Sequence, residues 1–245
     1  MDLEPMELHR AVSAPRLFSI GHSNHALATF LELLWQHQIE VLVDARSHPY
    51  SRYAPHFNLS SIKEAVVRAG IKYIFMGKEL GGRPDSEEFY DAEGHVLYWR
   101  VAELPLFVEG IGRLENGIVK FRVALMCSEE DPSACHRRLL VGRVLATRGI
   151  QLEHIRGDGK VQTEGELRGE EERLRTNGQI GFFEERSQEK AWRSIQSVLQ
   201  KGRRQSSSER SFGRRSHLAS DLKLGSPVSE IRLPQINKDS RIVKV

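Results

Sequence analysis

Two cysteines stand in the chain's 245 residues, Cys127 and Cys135, and the side chains around them are of the kinds that activate a thiol or hold an ion. The segment runs Cys127-Ser128-Glu129-Glu130, and Cys135-His136-Arg137 then opens an apolar run. A thiolate is a strong nucleophile, and a neighbouring His, Arg or helix N-terminus brings its pKa from about 8.5 toward neutrality. A cysteine that ends a buried strand can equally be a small apolar residue with no reaction to perform. The spacing Cys-x7-Cys is neither the Cys-x5-Arg loop of cysteine phosphatases nor a Cys-x-x-Cys pair, so phosphatase-like catalysis is disfavoured. With His22 added, Cys127, Cys135 and His136 would offer four N and S donors of the kind zinc takes. That spacing is unlike compact zinc knuckles, and adjacent residues at a helix start point about 100° apart, so no metal is assigned. His136 and Arg137 are expected instead at the N-terminal end of a helix, where unpaired N–H groups favour an anion.

Other polar groups follow other apolar runs. Gly21-His22-Ser23-Asn24, Asp44-Ala45-Arg46, Pro49-Tyr50-Ser51-Arg52 and Gly81-Gly82-Arg83 each stand at or just beyond one. A histidine near pKa 6.5 suits proton transfer at neutral pH. The catalytic candidates are therefore His22, Asp44 and Glu129 as acid–base groups, with Cys127 as nucleophile. Arg46, Arg83 and Arg137 suit bidentate recognition of phosphate or carboxylate. Ser23, Ser51, Gly81, Gly82, Cys135 and His136 complete the ligand-binding candidates. Plainer roles compete with these: Ser23 or Asn24 can cap the next helix, and Asp44 and Arg46 can pair on one strand face. Tyr50, Tyr53, His56 and Phe57 interleave with Arg52, a composition that suits stacking on a base or a buried lid. Gly81-Gly82 lacks the full dinucleotide fingerprint, so no NAD site is expected and no cofactor is named.

The elements that must position these groups follow from periodicity. Continuous apolar runs predict strands at Leu17–Ile20, Glu40–Ala45, Lys72–Met76, Lys120–Cys127 and Gln151–Ile155, as in a buried parallel sheet. Helical stripes predict helices near Ala26–His37, Ser60–Ala69, Pro105–Leu114 and Cys135–Arg148, with Gly70 and Gly149 at C-cap positions. The fold class expected is α/β: a three-layer Rossmann-like sandwich with a mostly parallel sheet, followed by C-terminal helices and a disordered tail. Ligands of such sheets lie beyond the carboxyl ends of the strands, where the polar groups above collect.

SIGHS, VDAR with PYS, LGGRP and LMCSEEDPSACHRRLLV resemble the successive motifs of the domain-of-unknown-function 488 (DUF488) family. The last is the most specific, and the likeness covers about two-thirds of the chain. It implies a Rossmann-like α/β fold and carries no agreed activity.

The net charge of +3 is unevenly spread. From Lys201 onward, eleven Lys and Arg face four Asp and Glu, a net of +7, which leaves −4 for the residues before it. The expected organisation is a mobile arm over 1–15, the α/β domain over 16–165, a helical extension over 166–200 with a possible helix at Phe182–Gln200, and a basic disordered tail over 201–245. The tail is too polar to offset an ordering entropy of roughly 1–2 kcal/mol per residue. No apolar run approaches the about 18 residues of a membrane span, and no secretory signal is recognised, so a cytoplasmic, reducing setting is expected. The leading expectation is an enzyme acting on a phosphate-bearing ligand, a nucleotide or nucleic acid, at the strand ends. A non-catalytic nucleic-acid-binding or regulatory module and a thiol redox or metal-binding protein are the alternatives.

Overall fold

Val41–Asp44 and Val123–Cys127 are buried along their whole length, as central strands of a sheet covered on both faces must be. The computed structural model describes residues 15–176 and 192–197. Within them the strands are β1 (Arg16–Gly21), β2 (Val41–Asp44), β3 (Lys72–Phe75), β4 (Val123–Cys127), β5 (Gln151–Ile155) and β6 (Val161–Thr163). They form one sheet in the order β3-β2-β4-β1-β5-β6, parallel except for β6. The protein is thus α/β with a mostly parallel six-stranded sheet. Its helices are α1 (Leu27–Gln36), α2 (Leu59–Arg68), α3 (Gly77–Leu80), α4 (Tyr98–Val101), α5 (Pro105–Lys120), α6 (Arg143–Thr147) and α7 (Glu164–Thr176).

The strand alternation sorts the core. Leu17, Val41, Val43, Val123 and Leu125 pack with Phe107, Ile111 and Leu114 of α5 and with Leu140 and Leu145. Phe18, Ile20, Leu42, Ala124 and Met126 pack in a second cluster with Phe30 and Leu34 of α1 and Ile62 and Val66 of α2. Successive strand residues point to opposite faces, so each apolar run supplies both clusters. Gly70 and Gly149 follow α2 and α6 with φ of +82° and +78°, a left-handed conformation that costs glycine little.

Several expectations are corrected. The strand placed at Lys120–Cys127 begins only at Val123, because α5 keeps its apolar stripe beyond Leu114 and runs to Lys120. The short strand β6 was not expected: Val161-Gln162-Thr163 is too brief and polar to signal itself, and it forms by hairpin return, with the Arg156 N–H donating to Lys160 O at 2.9 Å. The helix expected over Cys135–Arg148 starts as a π-helical stretch, Arg137–Gly142, before α6. α1 has no side-chain cap from Ser23 or Asn24; Ser23 lies at φ +44° and its N–H donates to Ser128 O at 2.8 Å. Of the possible helix at Phe182–Gln200, residues 192–197 are described and are not helical, because Ser194 spends its backbone N–H on Val96 O at 2.9 Å. The rest of that segment, residues 1–14 of the arm and the basic tail lie outside the described residues.

Candidate functional site

The strand order sets where a crevice can open. From β2 the chain continues to β3 at one edge, whereas from β4 it continues to β5 on the other side. Adjacent strands whose connections leave in opposite directions part at their carboxyl ends, the usual ligand position of such sheets. A cavity of about 330 Å³ lies there, lined among others by Arg46, Ser47, Ser51, Arg83, Cys127 and Glu129.

Beside it β1 and β2 deliver one polar network. Asp44, fully buried, accepts from Arg46 Nη2 at 2.6 Å and Nε at 2.9 Å, and from the Tyr73 hydroxyl at 2.6 Å. Arg46 Nη1 donates to His22 Nε2 at 3.0 Å. His22 Nδ1 lies 2.9 Å from Ser23 O and must donate to it, and the ring stacks on Phe57 at 4.3 Å. Burial, then the Arg46 charge, lowers the His22 pKa to about 4. Both ring nitrogens are occupied, so His22 and Asp44 hold Arg46 in place, and Arg46 is the member of the network that lines the cavity.

The end of β4 delivers the second cluster. The Cys127 thiol lies 2.9 Å from Glu129 Oε2, and the Cys135 thiol 3.3 Å from the same oxygen. His136 Nδ1 is 3.5 Å from the Cys127 sulfur and 3.9 Å from that of Cys135. His136 Nε2 donates to Ala45 O at 3.1 Å, which fixes the ring. Burial pushes the Cys127 thiol up, and Cys135 and Glu129 push it the same way. Burial would also raise Cys135, but the Cys127 thiol, Arg137 and His136 outweigh it, so Cys135 is the more acidic of the pair. Burial opposes ionisation of Glu129 as well, yet the hydrogen bond from Cys127, its own backbone N–H and Cys135 bring its pKa down to about 2.

Arg137 does not reach an anion. It is fully buried, and its guanidinium donates to Glu129 O, to Glu130 O at 2.6 Å and to Ser19 Oγ at 3.2 Å. The side chain tethers the loop after β4 because three acceptors enclose it and solvent does not. Ser51 sits in the cavity wall, where its Oγ accepts from the Tyr53 and Ala54 N–H groups. Gly82 lies against His136: a Cβ there would come within 2.5 Å of the imidazole. Gly81 is as tightly held, with a Cβ meeting Gly77 O at 2.2 Å. Arg83, also at the cavity, makes no ion pair among the described residues; its backbone N–H donates to Ser47 Oγ at 3.0 Å. Tyr50 is largely exposed at the cavity and Phe57 is core, so the aromatic loop divides between the two readings given to it.

Several polar groups escaped sequence reasoning. Ser194 and Gln196 line the cavity from a segment that periodicity assigned to a helix. Tyr73 lies inside a strand, where an aromatic residue signals only β-propensity. A Ser19–His154–Glu164 chain, with contacts of 2.6 and 3.0 Å, also formed without a sequence signal, since its members lie far apart in the chain.

Residues 26–144 match the family described as Domain of unknown function DUF488. No curated protein and no solved structure matches the chain. No helix among the described residues is long and apolar enough to cross a membrane.

Proposed function

We propose that this chain is an enzyme acting on a phosphate-bearing ligand, a nucleotide or the end of a nucleic acid, bound in the cavity between the ends of β2 and β4. The observation that carries the reading is the pairing of two arginines with a reactive cluster in one cavity: Arg46 and Arg83 line it together with Cys127, Glu129 and His136. Arg46 is pre-oriented by Asp44 and His22, so less ordering remains to be done when an anion arrives. Arg83, without a carboxylate partner among the described residues, supplies the charge that the network leaves uncompensated. Tyr50 offers an exposed ring on which a base can stack. Glu129 and the two thiols are the reacting groups. The wider reading that goes with this is a three-layer Rossmann-like sandwich in a reducing, cytoplasmic setting, which suits two neighbouring free thiols.

The test is a thermal-shift screen of the full chain with inorganic phosphate, mononucleotides and short oligonucleotides, beside the Arg83→Ala variant. Ligand at 100 times its Kd stabilises by about 2.7 kcal/mol, a rise of a few degrees in Tm. The expected result is a shift with at least one phosphate-bearing compound that Arg83→Ala loses. A screen without any shift, or a shift that survives the substitution unchanged, overturns the assignment.

A further inference from the structure

We infer that Cys127, Cys135 and His136 form a zinc site in the wall of the cavity, with Glu129 beside it. The donor atoms of Cys127, Cys135 and His136 all lie within 4.8 Å of one another, and Glu129 Oε2 lies against both sulfurs. Two buried sulfurs and a half-buried imidazole nitrogen that converge beside a carboxylate need a cation or protons between them. Here thiol protons fill that role, both directed at one carboxylate oxygen; a divalent metal displaces them as it binds. The distances fit such an exchange. With Zn–S of about 2.3 Å and Zn–N of about 2.0–2.1 Å, tetrahedral geometry sets sulfur and nitrogen about 3.5 Å apart, against the 3.5 and 3.9 Å found. Glu129 Oε2, at 2.9 and 3.3 Å from the sulfurs, stands where it accepts the thiol protons that the metal displaces.

The second observation is the anchor of the histidine. A backbone carbonyl can only accept, so the contact with Ala45 O places a proton on His136 Nε2 and turns Nδ1 toward the sulfurs. That is the outer hydrogen bond that metal-bound histidines characteristically make. It also answers the objection that adjacent residues diverge at a helix start: the imidazole folds back under Gly82, whose missing side chain makes the room. The other His and carboxylate group among the described residues, Asp91, Glu93 and His95, is already engaged by Arg193.

The inference shares Cys127, Cys135 and Glu129 with the phosphate reading, but its test has a separate readout. Full-length protein purified without chelators is analysed for metal content, and chelator-stripped protein is titrated with Co²⁺. The expected results are one zinc per chain and a Co²⁺ spectrum with thiolate-to-metal charge-transfer bands and tetrahedral ligand-field bands. Cys127→Ser and Cys135→Ser should each lose most of the charge-transfer intensity, and Glu129→Gln should keep it. Arg83→Ala should bind zinc like the parent, which separates failure here from failure of the phosphate assignment. The wild-type spectrum decides the matter even if a cysteine variant does not fold. Sub-stoichiometric zinc after reconstitution, Co²⁺ bands without thiolate character, or thiols equally reactive with and without zinc would overturn the site.

Discussion

Two histidine-centred clusters lie at either side of the sheet's midline, and only one of them presents its histidine to a cavity among the described residues. Ser19 Oγ contacts His154 Nδ1, and His154 Nε2 contacts Glu164, which also accepts from Arg138 at 2.9 Å. On distances alone this is a hydroxyl–imidazole–carboxylate relay. Yet Ser19 and His154 are wholly buried, and the serine oxygen already accepts from Arg137. The His136 cluster has less regular contacts but lines the cavity shared with Arg46 and Arg83. Geometry that resembles catalysis is therefore insufficient; access and an unspent charge beside it distinguish the second cluster. The first is a satisfied polar network whose serine and histidine lie in the interior and whose Glu164 and Arg138 reach the surface.

The largest expected effect breaks the interior network. Arg137→Met removes the donor to two backbone carbonyls and the buried Ser19, and should cost on the order of 3–5 kcal/mol in urea unfolding. A loss below about 1 kcal/mol would show that solvent replaces the guanidinium and that the network is not sealed. Next in size is a pH effect. His22 binds its proton near pH 4 when folded and near 6.5 when unfolded, so the unfolded chain holds more protons between these values. Stability should fall as pH drops from 6.5 to 4, by on the order of 3 kcal/mol in total from this group. His22→Gln should flatten that slope; an unchanged slope would assign the acid sensitivity elsewhere. Ser19→Ala should cost about 1–2 kcal/mol, and wild-type protein should resist fluorophosphonate labelling. Labelling at Ser19 would turn the sealed cluster into an active one and dissolve the comparison. Smallest is Arg83→Ala, expected to change stability by no more than about 0.5 kcal/mol. A larger loss would mean that Arg83 is held by the fold and is not free for a ligand.

Much of the fold was legible because buried strands announce themselves. VLVDA and VALMC name β2 and β4, and β5 has the bounds the apolar pattern gave it. Polar groups at strand ends were legible too, since an apolar run that stops at Cys127 or Asp44 marks the edge of the sheet. Which side chains face a ligand was not legible. Arg46, Arg83 and Arg137 look alike in the sequence, but one is half of an internal pair, one is free of carboxylates among the described residues and one is enclosed by carbonyls. Those fates depend on contacts across tens of residues, which periodicity does not encode. The convergence of Cys135 and His136 was hidden for the same reason: it requires the carbonyl of Ala45, 91 positions away.

The family match spans residues 26–144, yet β4 is hydrogen-bonded on one side to β1, which ends at Gly21, before that interval begins. On its far side β1 pairs with β5, which starts at Gln151, after the interval ends. The stretch that a family comparison recognises is thus smaller than the unit that can fold. A fragment cut to those limits would leave β4, the most apolar strand, with a bare row of N–H and C=O groups along one side. Such an edge is a template for pairing with another copy, so the fragment should be recovered as aggregate. A fragment extended through β1 and β5 but ended at Thr176 would keep its sheet while losing Ser194 and Gln196 from the cavity wall.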